Sequence, residues 1–130
     1  MKTLADKVKA LLPMLEERGP VYLFALFERE ETSGKWDIIL SSEWSDKEPT
    51  EAVWLISDAL VPQLTPAELS ALSRVFVAPS GEPEVENFVE IDQSEHVERF
   101  YASGFTFMDV PFRQVFVFRT RKVPRSKVAV

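Results

Sequence analysis

The stretch Val21–Arg29 constrains this chain more than any other part of it. Read with a period of two, Val21, Leu23, Ala25 and Phe27 fall on one face and Tyr22, Phe24 and Leu26 on the other. A strand that is apolar on both faces belongs in the middle of a sheet, not at its surface. Residues 28–35 are polar and include Ser33-Gly34, a turn signal, and Trp36–Ser42 then reads as a second strand. The simplest reading is an antiparallel hairpin.

The rest of the chain can be placed around that hairpin. Leu4, Val8, Leu11, Leu12 and Leu15 recur at helical spacing, with Thr3 and Asp6 in capping-box positions and Gly19-Pro20 as the stop, which predicts a helix over residues 3–18. Pro13 falls inside it and predicts a kink or a break into two short helices. Residues 45–49 read as a polar break. Val53, Ile56 and Leu60 then mark a helix face ended by Pro62. Thr65, Pro66 and Glu68 form a helix start: a cap, a proline at the first helical position and a glutamate at the third.

A short strand is expected over 74–78. A two-turn helix is expected around Val85, Phe88 and Val89, with Glu82, Glu84 and Glu86 where a helix dipole favours acids. Residues 97–107 and 112–121 predict two strands joined by a turn at 108–111, with Gly104 as a bulge. The order α-ββ-α-α-β-α-ββ predicts an α+β fold: a mainly antiparallel sheet with helices packed on one face. Residues 1–123 are expected to form one domain and 124–130 a loose basic tail.

Cysteine is absent, which removes disulfides, thiolate metal sites and cysteine nucleophiles from consideration. No apolar run approaches the roughly 20 residues of a membrane span, and residues 1–15 lack the pattern of a secretory signal, so no membrane role and a cytoplasmic location are expected. Charge is split. Residues 1–118 carry 10 basic and 21 acidic side chains, net −11, whereas 119–130 carry +5. An acidic body repels phosphate backbones, so nucleic-acid binding is not expected of it.

Four sets of residues are candidates for function. The first is Arg29, Asp37, Glu43 and Asp46. The run from Val21 to Glu31, followed by Trp36-Asp37-Ile38-Ile39-Leu40, resembles the signature of minimal nucleotidyltransferases, in which a strand leads into Gly-Ser, then an arginine, then a strand bearing Asp-x-Asp. The resemblance places Arg29 on the family arginine and Asp37 on the first metal-binding aspartate. Ala25-Leu26 replaces Gly-Ser and Ile39 replaces the second aspartate, so it implies a fold that has lost catalysis and kept a binding role, with Arg29 and Asp37 as nucleotide-binding candidates. That arrangement needs a helical segment soon after Phe24, whereas the plain reading needs an unbroken hairpin. Leu23 to Arg29 with Gly34 to Asp37 also resembles a pattern shared by uncharacterised small bacterial proteins, Leu-Phe-x-Leu-Phe-Glu-Arg followed by Gly-Lys-Trp-Asp. It brings no activity with it and favours the hairpin.

Asp92, Glu95 and His96 form the second set, with metal-ligating atoms; a solvated acidic loop is the plainer reading of them. The third is aromatic: among Trp36, Trp44 and Trp54, Trp36 is expected in the core, Trp54 at the edge of its helix's apolar face, and Trp44, in a polar stretch, is the one expected to be exposed for interaction. The fourth is the basic end, Arg119 to Lys127, with Arg119, Arg121 and Lys122 as its interaction candidates; it suits an acidic partner, a phosphate or the domain's own acidic body, and a solvated chain end is the plainer reading. Phe100, Phe105, Phe107 and Phe116 offer either a ligand pocket or plain core. No cofactor is expected. The function expected is a non-catalytic interaction or regulatory module with a protein partner, or self-association through a strand edge; the alternative is a nucleotidyltransferase-like binder of nucleotide and Mg2+.

Overall fold

The doubly apolar segment is β1 (Val21–Arg29), and it lies at the centre of the sheet. The structure is a computed structural model that describes residues 3–32, 34–95 and 99–124, with side chains described outside 91–105. β1 pairs antiparallel with β2 (Trp36–Ser42) on one side and with β5 (Val110–Thr120) on the other. β3 (Leu72–Val77) joins parallel to β2, and β4 (Arg99–Phe107) joins antiparallel to β5. The order is β3-β2-β1-β5-β4, a mixed but mainly antiparallel sheet in an α+β fold.

Local chemistry sets the helix boundaries. The Thr3 hydroxyl accepts from the Asp6 N–H and the Asp6 carboxylate accepts from the Thr3 N–H, which starts α1 (Leu4–Lys9). Pro13 breaks the expected long helix: it sits in the first turn of α2 (Leu12–Glu16), where a missing N–H leaves no hydrogen bond unmade. α4 (Pro49–Leu60) runs into a 3-10 turn, Val61–Gln63, that contains Pro62. The capping box of Thr65 and Glu68 opens α5 (Pro66–Ala71) as the sequence predicts.

Several expectations are corrected. The polar break is interrupted by a helical turn, α3 (Glu43–Lys47), because the Ser42 hydroxyl accepts from the Ser45 N–H at 3.1 Å. The buried face of α4 holds the expected Ile56 and Leu60, with Ala52 in place of Val53. α6 (Pro83–Glu95) runs 13 residues, well beyond two turns. Most consequentially, helices cover both faces of the sheet. Phe24, Leu26, Ile38 and Leu40 pack against Val8, Leu12 and Leu15 of the N-terminal helices and Ala52, Ile56 and Leu60 of α4. Leu23, Ala25, Phe27 and Ile39 pack on the other side against Val85, Phe88 and Val89 of α6. A central strand with two apolar faces needs a layer on each, and α6 supplies the second.

The α6 face is aromatic at its heart: the Phe27 ring lies 4.9 Å from that of Phe112, 5.3 Å from Phe107 and 5.5 Å from Phe88. Phe107 belongs to this face and Phe116 to the opposite one, so the sheet separates two residues of the suggested phenylalanine pocket. The side chains of Phe100 and Phe105 lie outside the described set. The β4–β5 connection is a two-residue turn with positive φ at both Met108 and Asp109, the hairpin conformation that matches strand twist. The pairing shifts register between Tyr101 and Phe105, the interval that holds Gly104.

Candidate functional site

Asp37 is the centre of the polar chemistry. It faces the α6 side of the sheet, its backbone paired with Phe27 of β1 and Arg74 of β3. Its side chain is 0% exposed, and each carboxylate oxygen accepts one guanidinium Nε–H at 3.1 Å, from Arg29 and from Arg74. Both arginines keep about a third of their side-chain surface open, 29% and 36%. Arg74 is held a second way, its guanidinium carbon 4.5 Å from the centroid of the Phe76 ring. Three adjacent strands therefore carry a row of charge, positive, negative, positive.

Glu28 does a parallel task on the other face. It accepts from the Gly34 N–H at 2.8 Å, which secures the hairpin turn, and from Gln114 Nε2 at 3.0 Å, which ties β1 to β5. Gly34 has φ +84°, a conformation that side chains rarely adopt. These buried carboxylates serve as cross-strand fasteners.

The first candidate set is not brought together. Asp37 stands near the start of β2 and Glu43 and Asp46 beyond its end, roughly 17 Å along the strand. Asp46 instead accepts from the Ser80 N–H at 2.9 Å and from the Ser80 hydroxyl, docking α3 on the loop before α6. β1 runs unbroken through Ala25 and Leu26, and no helical segment follows Phe24. The turn and metal-facing carboxylate that the nucleotidyltransferase resemblance requires are absent from these residues, since Leu26 is in the core and Asp37 already accepts from two arginines.

Of the second set, His96 lies outside the described residues, as do the side chains of Asp92 and Glu95 on α6. Among the described residues no cluster of three His, Asp or Glu side chains could hold a metal ion.

Of the tryptophans, Trp36 is where it is expected, and Trp44 and Trp54 are not. Trp44 is half-buried because Ser42 winds residues 43–47 into α3; its ring packs on the core with the Arg18 guanidinium 5.3 Å from its centroid. Its Nε1 is buried without a hydrogen-bond partner among the described residues, beside a groove of about 370 Å3 lined by Arg18, Gly19, Glu43 and Lys47. Trp36 packs against the core and on Phe116, ring centroids 5.5 Å apart. Trp54 is the open one, 66% exposed. It lies outside the buried face of Ala52, Ile56 and Leu60 rather than at its edge, a placement that the apolar run Ala52-Val53-Trp54-Leu55-Ile56 left open.

The basic end is partly absorbed by the domain itself. Arg119 and Arg121 each reach one oxygen of Glu16 at 3.3 Å, and the Arg121 N–H donates to the Tyr22 carbonyl at 3.0 Å. Val123 is buried, and Lys122 stays exposed. Residues 125–130, which include Arg125 and Lys127, lie outside the described set. Arg74, which sequence reasoning passed over, completes the Asp37 cluster from 37 residues away; its only local signal was a charge leading into the apolar run Val75-Phe76-Val77.

No helix among the described residues is long and apolar enough to cross a membrane. No protein-family model, curated protein or solved structure matches the chain.

Proposed function

We propose that this chain is a protein-interaction module without catalytic chemistry of its own. The observation that carries this reading is the outward face of α4. Trp54 is 66% exposed and Val61, seven residues on at the start of the 3-10 turn that continues α4, is 43% exposed. Aromatic and aliphatic groups displayed together on a helix are the material of binding hot spots. The well-placed carboxylates support the same reading, for Glu28, Asp37, Asp46 and Glu68 are each engaged by the protein's own donors.

A photo-crosslinking residue at position 54, compared in the native host with one at the exposed Asp109, tests it. The expected result is a discrete adduct specific to position 54, with a partner or with a second copy. Identical adducts at both positions, together with a monomer in sedimentation at high concentration, would refute the reading. The alternative, a binder of nucleotide and Mg2+ at Arg29 and Asp37, predicts heat on titration with ATP and Mg2+ that Asp37→Ala removes. No heat is expected, because both Asp37 oxygens are already used.

A further inference from the structure

We infer that the outer edge of β3 takes an extended, acidic segment of a partner protein as a sixth strand, with a carboxylate set opposite Arg74. This rests on the interaction reading above and names the chemistry of the partner.

β3 is the last strand on its side of the sheet and pairs, among the described residues, with β2 alone. Its outward N–H and C=O groups therefore form a template for another strand. The side chains suit the same role. Val75 and Val77 lie partly exposed on the α4 face, and Arg74 and Phe76 lie partly exposed on the α6 face. Natural edges are usually protected by lysine, proline, bulges or brevity. This edge has six residues and one charged side chain, and that charge is not a freely moving gatekeeper: Asp37 and the Phe76 ring hold it in place.

The row across the sheet says which partner fits. Arg29, Asp37 and Arg74 alternate in sign and end at the edge on a positive group, leaving a surplus of one positive charge. Each arginine uses its Nε for Asp37, and among the described side chains their terminal nitrogens bond no other carboxylate. A carboxylate on an added strand, directly opposite Arg74, continues the alternation and meets a fork already oriented. Opposite-charge cross-strand pairs are favourable and like pairs are not. A second copy of this chain fits worse. Antiparallel pairing centred on Val75 would bring two Arg74 side chains to diagonal positions about 7–8 Å apart, each on a row with surplus positive charge. The chain's net charge of −6 does not oppose the local match, because screening confines it to about 8 Å at physiological salt.

The test varies the peptide and leaves the protein intact, so that folding is not in question. A fluorescent nonapeptide of alternating Thr and Val with a central Glu is titrated by anisotropy, beside versions with central Gln and central Lys. The Glu peptide is expected to bind about fivefold tighter than the Gln peptide, and the Lys peptide weaker still. Methylating alternate backbone nitrogens on the pairing edge should abolish binding, and amide shifts in a 15N-labelled sample should concentrate at residues 72–77. Equal affinities, no binding by any peptide, binding that survives N-methylation, or shifts confined to β4 would each overturn the inference, as would a stable dimer through β3. If a specific adduct at Trp54 persists while the peptides fail, the edge assignment falls and the interaction reading stands. If the adduct is absent as well, both fall.

Discussion

Replacing Asp37 by Asn is the most direct probe of what holds the β1–β2–β3 end of the sheet together. Asn preserves the shape, but it offers one oxygen and one NH2 group where the carboxylate offered two oxygens. One arginine keeps a neutral acceptor and the other meets a donor. Two charge-assisted hydrogen bonds at about 1.5–3 kcal/mol each set an upper bound of about 3–6 kcal/mol. The arginines are about one-third open, so once released they recover part of their hydration, and the net loss is about 2–4 kcal/mol. Against a typical total of about 5–15 kcal/mol, that is a large fraction of the stability. Urea denaturation followed by circular dichroism reads it as a lower midpoint at unchanged slope. A double-mutant cycle with Arg74→Gln should show coupling of about 1 kcal/mol or more. A loss below about 0.5 kcal/mol would mean that the carboxylate does not hold the arginines, and the charge-row argument would fall with it.

Phe27→Ala removes the ring that touches Phe88, Phe107 and Phe112, and it should cost about 3–5 kcal/mol in the same assay, with a value under about 1 kcal/mol contradicting the packing. The Lys7 ammonium, and after it the Thr65 backbone N–H, hold the Glu68 carboxyl below the usual carboxylate range. A lowered folded value means stability that is present at neutral pH and lost as pH falls through that value, so Glu68→Gln should weaken the protein at about pH 7, with a gap that narrows as the solution is acidified; a gap independent of pH refutes this. Asp109→Gly relieves a positive φ of 68° in the β4–β5 turn and should raise stability by about 0.5 kcal/mol, whereas a loss would show that the Asp109 side chain stabilises the turn.

What was legible in the sequence was local. The capping boxes of Thr3 and Thr65, the β1–β2 hairpin and the β4–β5 turn depend on residues within a few positions of one another, and they appear where the residue types place them, except that the expected 108–111 turn tightens to Met108-Asp109 with Val110 and Pro111 already paired in β5. What was missed depends on distance or on phase. Asp37 meets Arg74 across 37 residues and Asp46 meets Ser80 across 34, and no spacing rule spans such intervals. On α4, Ile56 and Leu60 are buried as expected, but five consecutive apolar residues, 52–56, left open whether Ala52 or Val53 completes the face and whether Trp54 lies at its edge or outside it. Trp44 was drawn inward separately, by the helical turn that the Ser42 hydroxyl starts. The second helical layer was written in β1, whose two apolar faces each need cover. The antiparallel order, which suits one covered face, drew the reading away from it.

The polar end of β1 has a structural logic of its own. A strand apolar on both sides specifies its register weakly, because a slip of one residue exchanges one set of large side chains for another. Glu28 and Asp37 remove that freedom. They sit on opposite faces of neighbouring strands, Glu28 bound to Gly34 and Gln114 and Asp37 to Arg29 and Arg74. Sliding β1 by one position against β2 and β5 would turn Glu28 toward the Phe88–Phe107–Phe112 cluster and part it from Gln114. A buried carboxylate without partners costs several kcal/mol, far more than apolar exchange could return. The same residues that resemble a decayed catalytic signature therefore have a sufficient reason to be there: they fix which residue of β1 faces which layer, and Arg74, which neutralises Asp37 together with Arg29, brings charge to the β3 edge.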